Sequence, residues 1–164
     1  MSVPGGTMSL VPLREVRSED IPVFYSYQAD AEANALAGVP ARDRDAYEAH
    51  WARLRADPQV LLRTITTDGG AVAGQLLSFP REGIREIGYW LGREFWGRGI
   101  ATAALAEFLP LVPQRPVFGV VNAANVASRR VLERNGFVLA ERREGEPSVP
   151  GGAPLALLVF RLDE

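Results

Sequence analysis

Cysteine and lysine are both absent from the 164 residues, and histidine occurs once. Without cysteine there are no disulfides, no thiolate metal sites and no cysteinyl acyl-enzyme. Without lysine there is no Schiff-base chemistry, no pyridoxal phosphate attachment and no phosphate-loop lysine. All 18 basic residues are arginine, so the α-amine is the one primary amine the chain itself carries. A single His excludes a multi-histidine metal site, and no run of carboxylates has ligand spacing, so no metal is expected. Long apolar runs are missing too. Stretches such as Leu155–Phe160 fall far short of the roughly 20 residues a bilayer span needs. Residues 1–10 lack the basic start and apolar core of a signal peptide. The net charge of -2 and pI near 5.6 leave no electrostatic footprint for nucleic acid or an anionic membrane. A cytoplasmic protein with neither nucleic acid nor membrane as partner is expected.

What is present suits one globular domain: 47% hydrophobic and 23% charged residues over a length near that of a typical domain. Residues 1–9 read as a flexible leader, with Met8 an alternative start, and 10–164 as a single domain. Leu10–Val16 predicts a first strand. Ser18, Asp20 and Pro22 signal a helix through Gln28. Asp43 or Asp45 caps a second helix to Arg55, with Tyr47, Trp51 and Leu54 at core spacing. Val60–Thr67 and Ala71–Phe79 form strands around an Asp68-Gly69-Gly70 turn. Arg85–Leu91 is a further strand, with Ile87, Tyr89 and Leu91 on one face and Glu86, Gly88 and Trp90 on the other. Helices Ile100–Leu109 and Asn125–Asn135 follow, the second stopped by Gly136. Strands at Val117–Val121, Val138–Arg143 and Leu155–Leu162 complete the chain. Seven strands and four helices in this order give a mixed α/β sheet rather than parallel Rossmann alternation.

The informative run is Trp90–Thr102 (WLGREFWGRGIAT): a strand end, a loop with three glycines and a helix start. Gly97-Arg98-Gly99 has no Ser, Thr, Asp or Asn where a cap belongs, so the free N–H groups of the helix start suit a bound phosphate. A tight strand-to-helix turn accounts for the same glycines. Neither familiar nucleotide loop fits: Thr102 stands where the Rossmann fingerprint needs Gly or Ala, and the Walker loop needs the missing Lys.

Trp96-Gly97-Arg98-Gly99-Ile100-Ala101 resembles the Q/R-x-x-G-x-G/A loop of the GNAT superfamily of N-acetyltransferases, with Trp96 in the leading position. Asn122–Phe137 (NAANVASRRVLERNGF) resembles that superfamily's second block, and the closer likeness is to ribosomal-protein-alanine acetyltransferases. The resemblance covers Arg85–Arg143, while the first 80 residues match in element order alone. It implies a single GNAT-like domain with a mostly antiparallel mixed sheet splayed between strands four and five. It also implies acetyl-CoA as cosubstrate. Arg98, Gly99, Ile100, Ala101 and Thr102 would hold the pyrophosphate, largely through main-chain amides. The main chain at Trp90 and Leu91 would pair with the pantetheine arm, the Leu91 amide facing the developing oxyanion. Asn125 and Ser128 would touch the cofactor from the far side, Asn125 also capping its helix.

With no cysteine, direct attack of an amine on the thioester in a ternary complex is the natural route. Glu86 is the first candidate base; its bland alternative is a strand-edge charge paired with Arg85 or Arg93. Family members place a Tyr acid at the position of Leu132 here, and Ser128 is the substitute, with Tyr89 behind it as a core aromatic. His50 reads as a helix residue beside Trp51 rather than a catalyst. The loop Glu144–Pro154 is a candidate wall of the acceptor site. The acceptor is a small-molecule amine or a protein N-terminus, and the protein a monomer or homodimer. The competing reading is a non-catalytic acyl-CoA-binding or sensor module of the same fold.

Overall fold

The computed structural model describes residues 11–147 and 150–164. The expected leader over residues 1–9, with Met8, lies outside the described residues, as do residues 148 and 149 of the candidate acceptor loop.

Seven strands form one sheet: β1 (Leu13–Arg14), β2 (Leu61–Thr66), β3 (Val72–Arg81), β4 (Ile84–Leu91), β5 (Val117–Asn122), β6 (Val138–Gly145) and β7 (Leu155–Leu162). Their spatial order is β1-β2-β3-β4-β5-β7-β6, and β4–β5 is the one parallel pair. Five α-helices complete the described residues: α1 (Asp20–Gln28), α2 (Ala31–Ala37), α3 (Arg44–Ala56), α4 (Ile100–Phe108) and α5 (Val126–Arg134). Seven strands in a mixed, mostly antiparallel sheet agree with the sequence expectation. Helix α2 is an addition to the expected four, and β1 is two residues where seven were expected.

The two faces of the sheet carry separate cores. On one, Ile65, Leu76, Ile87, Leu105, Phe108 and Leu132 pack together, which is where α4 and α5 lie. On the other, Phe24 of α1 and the Tyr47–Trp51 stripe of α3 cover Leu62, Val72 and Leu77. Phe24 and Trp51 stack with ring centroids 5.0 Å apart. Asp43 caps α3 as expected, accepting from the Ala46 N–H at 2.7 Å.

α1 starts at Asp20, within the Ser18–Pro22 start signal. The residue at the cap is Glu19, which makes no side-chain cap bond. Asp20 is instead buried, accepting both Arg14 guanidinium nitrogens at 2.7 and 2.8 Å, the Arg17 N–H at 2.8 Å and the Thr64 hydroxyl at 2.8 Å. Burial raises its carboxyl pKa, but those bonds outweigh burial and hold it below the ordinary value. A depressed folded pKa gives stability that is present above the unfolded pKa and is lost as pH falls through the folded one. Asp20→Asn should therefore lower stability at pH 7 by about 2–3 kcal/mol, discounted because Arg14 is partly exposed. It should also flatten the acid limb of a melting-temperature profile below about pH 4, whereas an unchanged limb would show that the contacts carry no net stability.

Candidate active site

β4 and β5 pair through Arg85–Val117, Glu86–Phe118 and Ile87–Gly119, and there the ladder stops. Beyond it Gly88–Leu91 and Val120–Asn122 line opposite walls of a cleft of about 590 Å³. This is the splay expected between strands four and five. Residues of α4, α5 and α2, with Val39, complete the lining.

The start of α4 is built for an anion. Gly97 and Gly99 have φ of +74° and +75°, and a Cβ added to either would meet nothing within 4 Å. Gly99 is the N-cap residue of α4 and supplies no side-chain cap, so the first-turn N–H groups keep their positive end free. Gly99, Ile100, Ala101 and Thr102 all line the cleft; the Arg98 side chain does not, lying over the Phe95 ring at 5.9 Å. From α5, Arg130 and Arg134 add two guanidinium-bearing side chains four residues apart. Sequence reasoning passed over this pair, although i,i+4 arginines on a helix beside a glycine loop are a legible signal.

Trp90, Leu91, Asn125 and Ser128 line the cleft as well. Asn125 caps α5, its Oδ1 accepting from the Ser128 N–H at 3.2 Å. The Leu91 carbonyl accepts the Trp96 indole N–H at 3.1 Å, fixing the strand end to the loop. The Tyr89 hydroxyl lies 2.7 Å from Ser128 Oγ and donates to the Ser128 carbonyl at 2.9 Å. Burial pushes the Tyr89 phenol up to about 12, with the Ser128 bond opposing, so it holds its proton through neutral pH. Tyr89, ranked behind Ser128 from sequence, is thus its partner in the cleft.

Glu86 does not line the cleft. It is buried on the β4 face it shares with Gly88 and Trp90, and its Oε2 has no hydrogen-bond partner among the described residues. The nearest cation is Arg81 across the β3–β4 turn, at 3.7 Å. The partners considered from sequence are engaged elsewhere: Arg85 donates to the Gln59 carbonyl at 2.7 Å, and Arg93 pairs with Asp30 and Glu32. Burial raises the Glu86 pKa, with Arg81 and Arg143 pulling it back and Glu82 adding to the rise. His50 lies outside the cleft, half-buried, with burial and then Arg42 and Arg53 lowering its pKa.

Arg93 ties the loop after β4 to α2. It contacts Asp30, the N-cap of α2, at 2.5 and 2.7 Å and Glu32 at 2.6 Å, and its guanidinium sits 5.5 Å over the Trp96 ring. Asn122, at the end of β5, donates to the Leu36 carbonyl at 3.1 Å, so α2 is held against the cleft from both sides.

A splay whose wall strand is unpaired, ending at an uncapped helix start, fits a long ligand with an anionic group. Comparison with known proteins points the same way. The profile of the acetyltransferase (GNAT) domain matches residues 11–138. Among curated proteins no sequence gives a significant match. The spermidine N-acetyltransferase of Vibrio cholerae, solved with CoA and spermine, superposes with a TM-score of 0.82 at 13% identity, over 94% of this chain and 96% of that one. RimJ of Mycobacterium smegmatis, solved with CoA-disulfide, gives 0.75 at 26% identity, over 92% and 80%. The phosphinothricin acetyltransferase of Sinorhizobium meliloti, solved with AcCoA, gives 0.79 at 16%, over 94% and 88%. No helix among the described residues is long and apolar enough to cross a membrane.

Proposed function

The chain belongs to the GNAT acetyltransferase family, and on that premise we propose that it transfers the acetyl group of acetyl-CoA to a primary amine in a ternary complex. The observation that carries this is the end of β4–β5 pairing at Ile87–Gly119, next to the uncapped start of α4. The cosubstrate supplies the activated acyl thioester; the rest is the work of this chain. The main-chain amides of Arg98, Gly99, Ala101 and Thr102, with Ile100 between them and Arg130 and Arg134 alongside, hold the pyrophosphate. Trp90 and Leu91 present strand edge to the pantetheine arm, and Asn125 and Ser128 flank it from α5.

An amine with a pKa of about 8–10 is mostly protonated at neutral pH and must lose a proton before it attacks. Glu86 takes that proton through water reaching it past Gly88, since its carboxylate is set back from the cleft. Burial raises its pKa, which makes the carboxylate a stronger base than an exposed glutamate. Ser128, hydrogen-bonded to the protonated Tyr89, gives its hydroxyl proton to the departing thiolate and regains one from solvent.

Parallel melts with acetyl-CoA, CoA, ATP and NAD test the donor. At a hundredfold excess over Kd, acetyl-CoA and CoA should raise the melting temperature by roughly 5–10 °C, and ATP and NAD should not. No shift with either CoA species rejects the assignment. A shift without turnover of any amine supports the non-catalytic acyl-CoA-binding reading instead.

A further inference from the structure

Two parts of the cleft lining differ in chemistry. α5 carries Arg130 and Arg134. Another part is formed by Ala33, Leu36 and Ala37 of α2 and by Val39, with Gly88 and Trp90 of β4 also lining the cleft. Leu36 and Val39 line the cleft and are each 37% exposed. Among the described residues, none that lines the cleft is Asp or Glu. The acids closest in sequence to this wall, Asp30 and Glu32, are both engaged by Arg93. Asn122 is engaged as well, donating to the Leu36 carbonyl and accepting the Ala124 N–H. The buried polar atom of a cleft-lining side chain left without a partner is Trp90 Nε1, an N–H donor, which cannot hold a second ammonium.

A polycation brought into such a site leaves each extra ammonium desolvated and unpaired, which is costly, whereas a hydrocarbon body gains by covering Leu36 and Val39. We propose that the acceptor is a primary amine on a short, uncharged, apolar body, its reacting nitrogen the single cation in the site, and that polyamines are discriminated against. The inference rests on the acetyltransferase reading above. It separates this chain in substrate chemistry from the spermidine enzyme whose backbone it matches so closely.

The test is initial rates of CoA thiol release by the full chain with phenethylamine, spermidine and an amidated Ala-Ala-Ala peptide. The first and third arms separate a small-molecule source of the apolar amine from a peptide N-terminus. At least one of them should exceed spermidine in kcat/KM by about tenfold or more. Leu36→Glu should narrow that ratio at least about fivefold by supplying a counter-charge, and Val39→Asp, at an equally exposed position, repeats the test if the first variant folds poorly. Spermidine turned over as well as the other two overturns the proposal. So does turnover of none of the three while acetyl-CoA still raises the melting temperature. Failure of acetyl-CoA to stabilise the protein overturns the underlying donor reading instead.

Discussion

Glu86→Gln is expected to cut kcat by about 100- to 1,000-fold while leaving the melting temperature unchanged or raised. The two readouts move apart if the carboxylate is the proposed base, because its burial costs the fold. Glu86 is 6% exposed, its Oε2 has no hydrogen-bond partner, and Arg81 stands off at 3.7 Å with most of its own side chain in water. A pair of this kind returns little of what desolvation costs. Its folded pKa is raised, so the favourable protonated form exists below the unfolded pKa and is lost as pH rises through the folded one. Wherever it is ionised, the wild-type carboxylate is a buried charge that an isosteric amide lacks. A general base must be ionised, so wild-type kcat should climb with pH through this elevated value, and the glutamine variant should lose that limb. Rates from pH 5.5 to 8.5 beside thermal melts decide the matter. A kcat reduced less than about threefold removes Glu86 from the mechanism, and a collapse in melting temperature makes it a structural residue.

Gly74→Ala should damage stability and donor binding together. A Cβ at Gly74 would sit 2.0 Å from the Trp90 carbonyl oxygen and 3.0 Å from Leu91 Cα, closer to backbone than real Cβ atoms come. No side chain can swing aside to relieve this, so β3 and β4 must part by about an ångström. Such overpacking costs about 1–3 kcal/mol, or roughly 3–10 °C in melting temperature. The displaced segment is the one whose unpaired edge lines the cleft, so acetyl-CoA should bind at least about tenfold more weakly even where the variant remains folded. Gly69→Ala, on the turn leading into the same strand, meets only Thr67 Oγ1 at 4.0 Å and serves as the control. Equal behaviour of the two variants would show that the Gly74–Trp90 approach has no consequence.

What the sequence made legible is local. The glycine loop ahead of α4, the Asn125 cap, the Gly136 stop and the alternation along β4 each sit within a dozen residues, and each appears where expected. The contacts that finish the site join distant segments. Arg93 reaches Asp30 across 63 positions, and Tyr89 reaches Ser128 across 39. Nothing in the neighbourhood of either residue announces its partner. Helix α2 was missed for another reason. Its signals exist, in the Asp30 side chain accepting from Glu32 and Ala33 and in Gly38 at φ +72°, but seven residues rich in alanine carry too little apolar periodicity to declare a helix. Asp20 marks the start of α1 as expected, but nothing near it in the sequence shows that its carboxylate also anchors Arg14 and Thr64.

The parting of β4 from β5 has a consequence for how this protein responds to selection. Most domains become more heat-resistant by completing their hydrogen-bond ladders and filling gaps. Here the gap between Gly88–Leu91 and Val120–Asn122 invites such improvement, and it is also where the proposal above lays the acyl donor. Variants that zip the two strands together would rank highest in a thermostability screen and lowest in turnover. Engineering for robustness should therefore spare both strand edges and the Glu86–Gly88 face of β4, and be confined to packing remote from them, such as the Phe24–Trp51 contact.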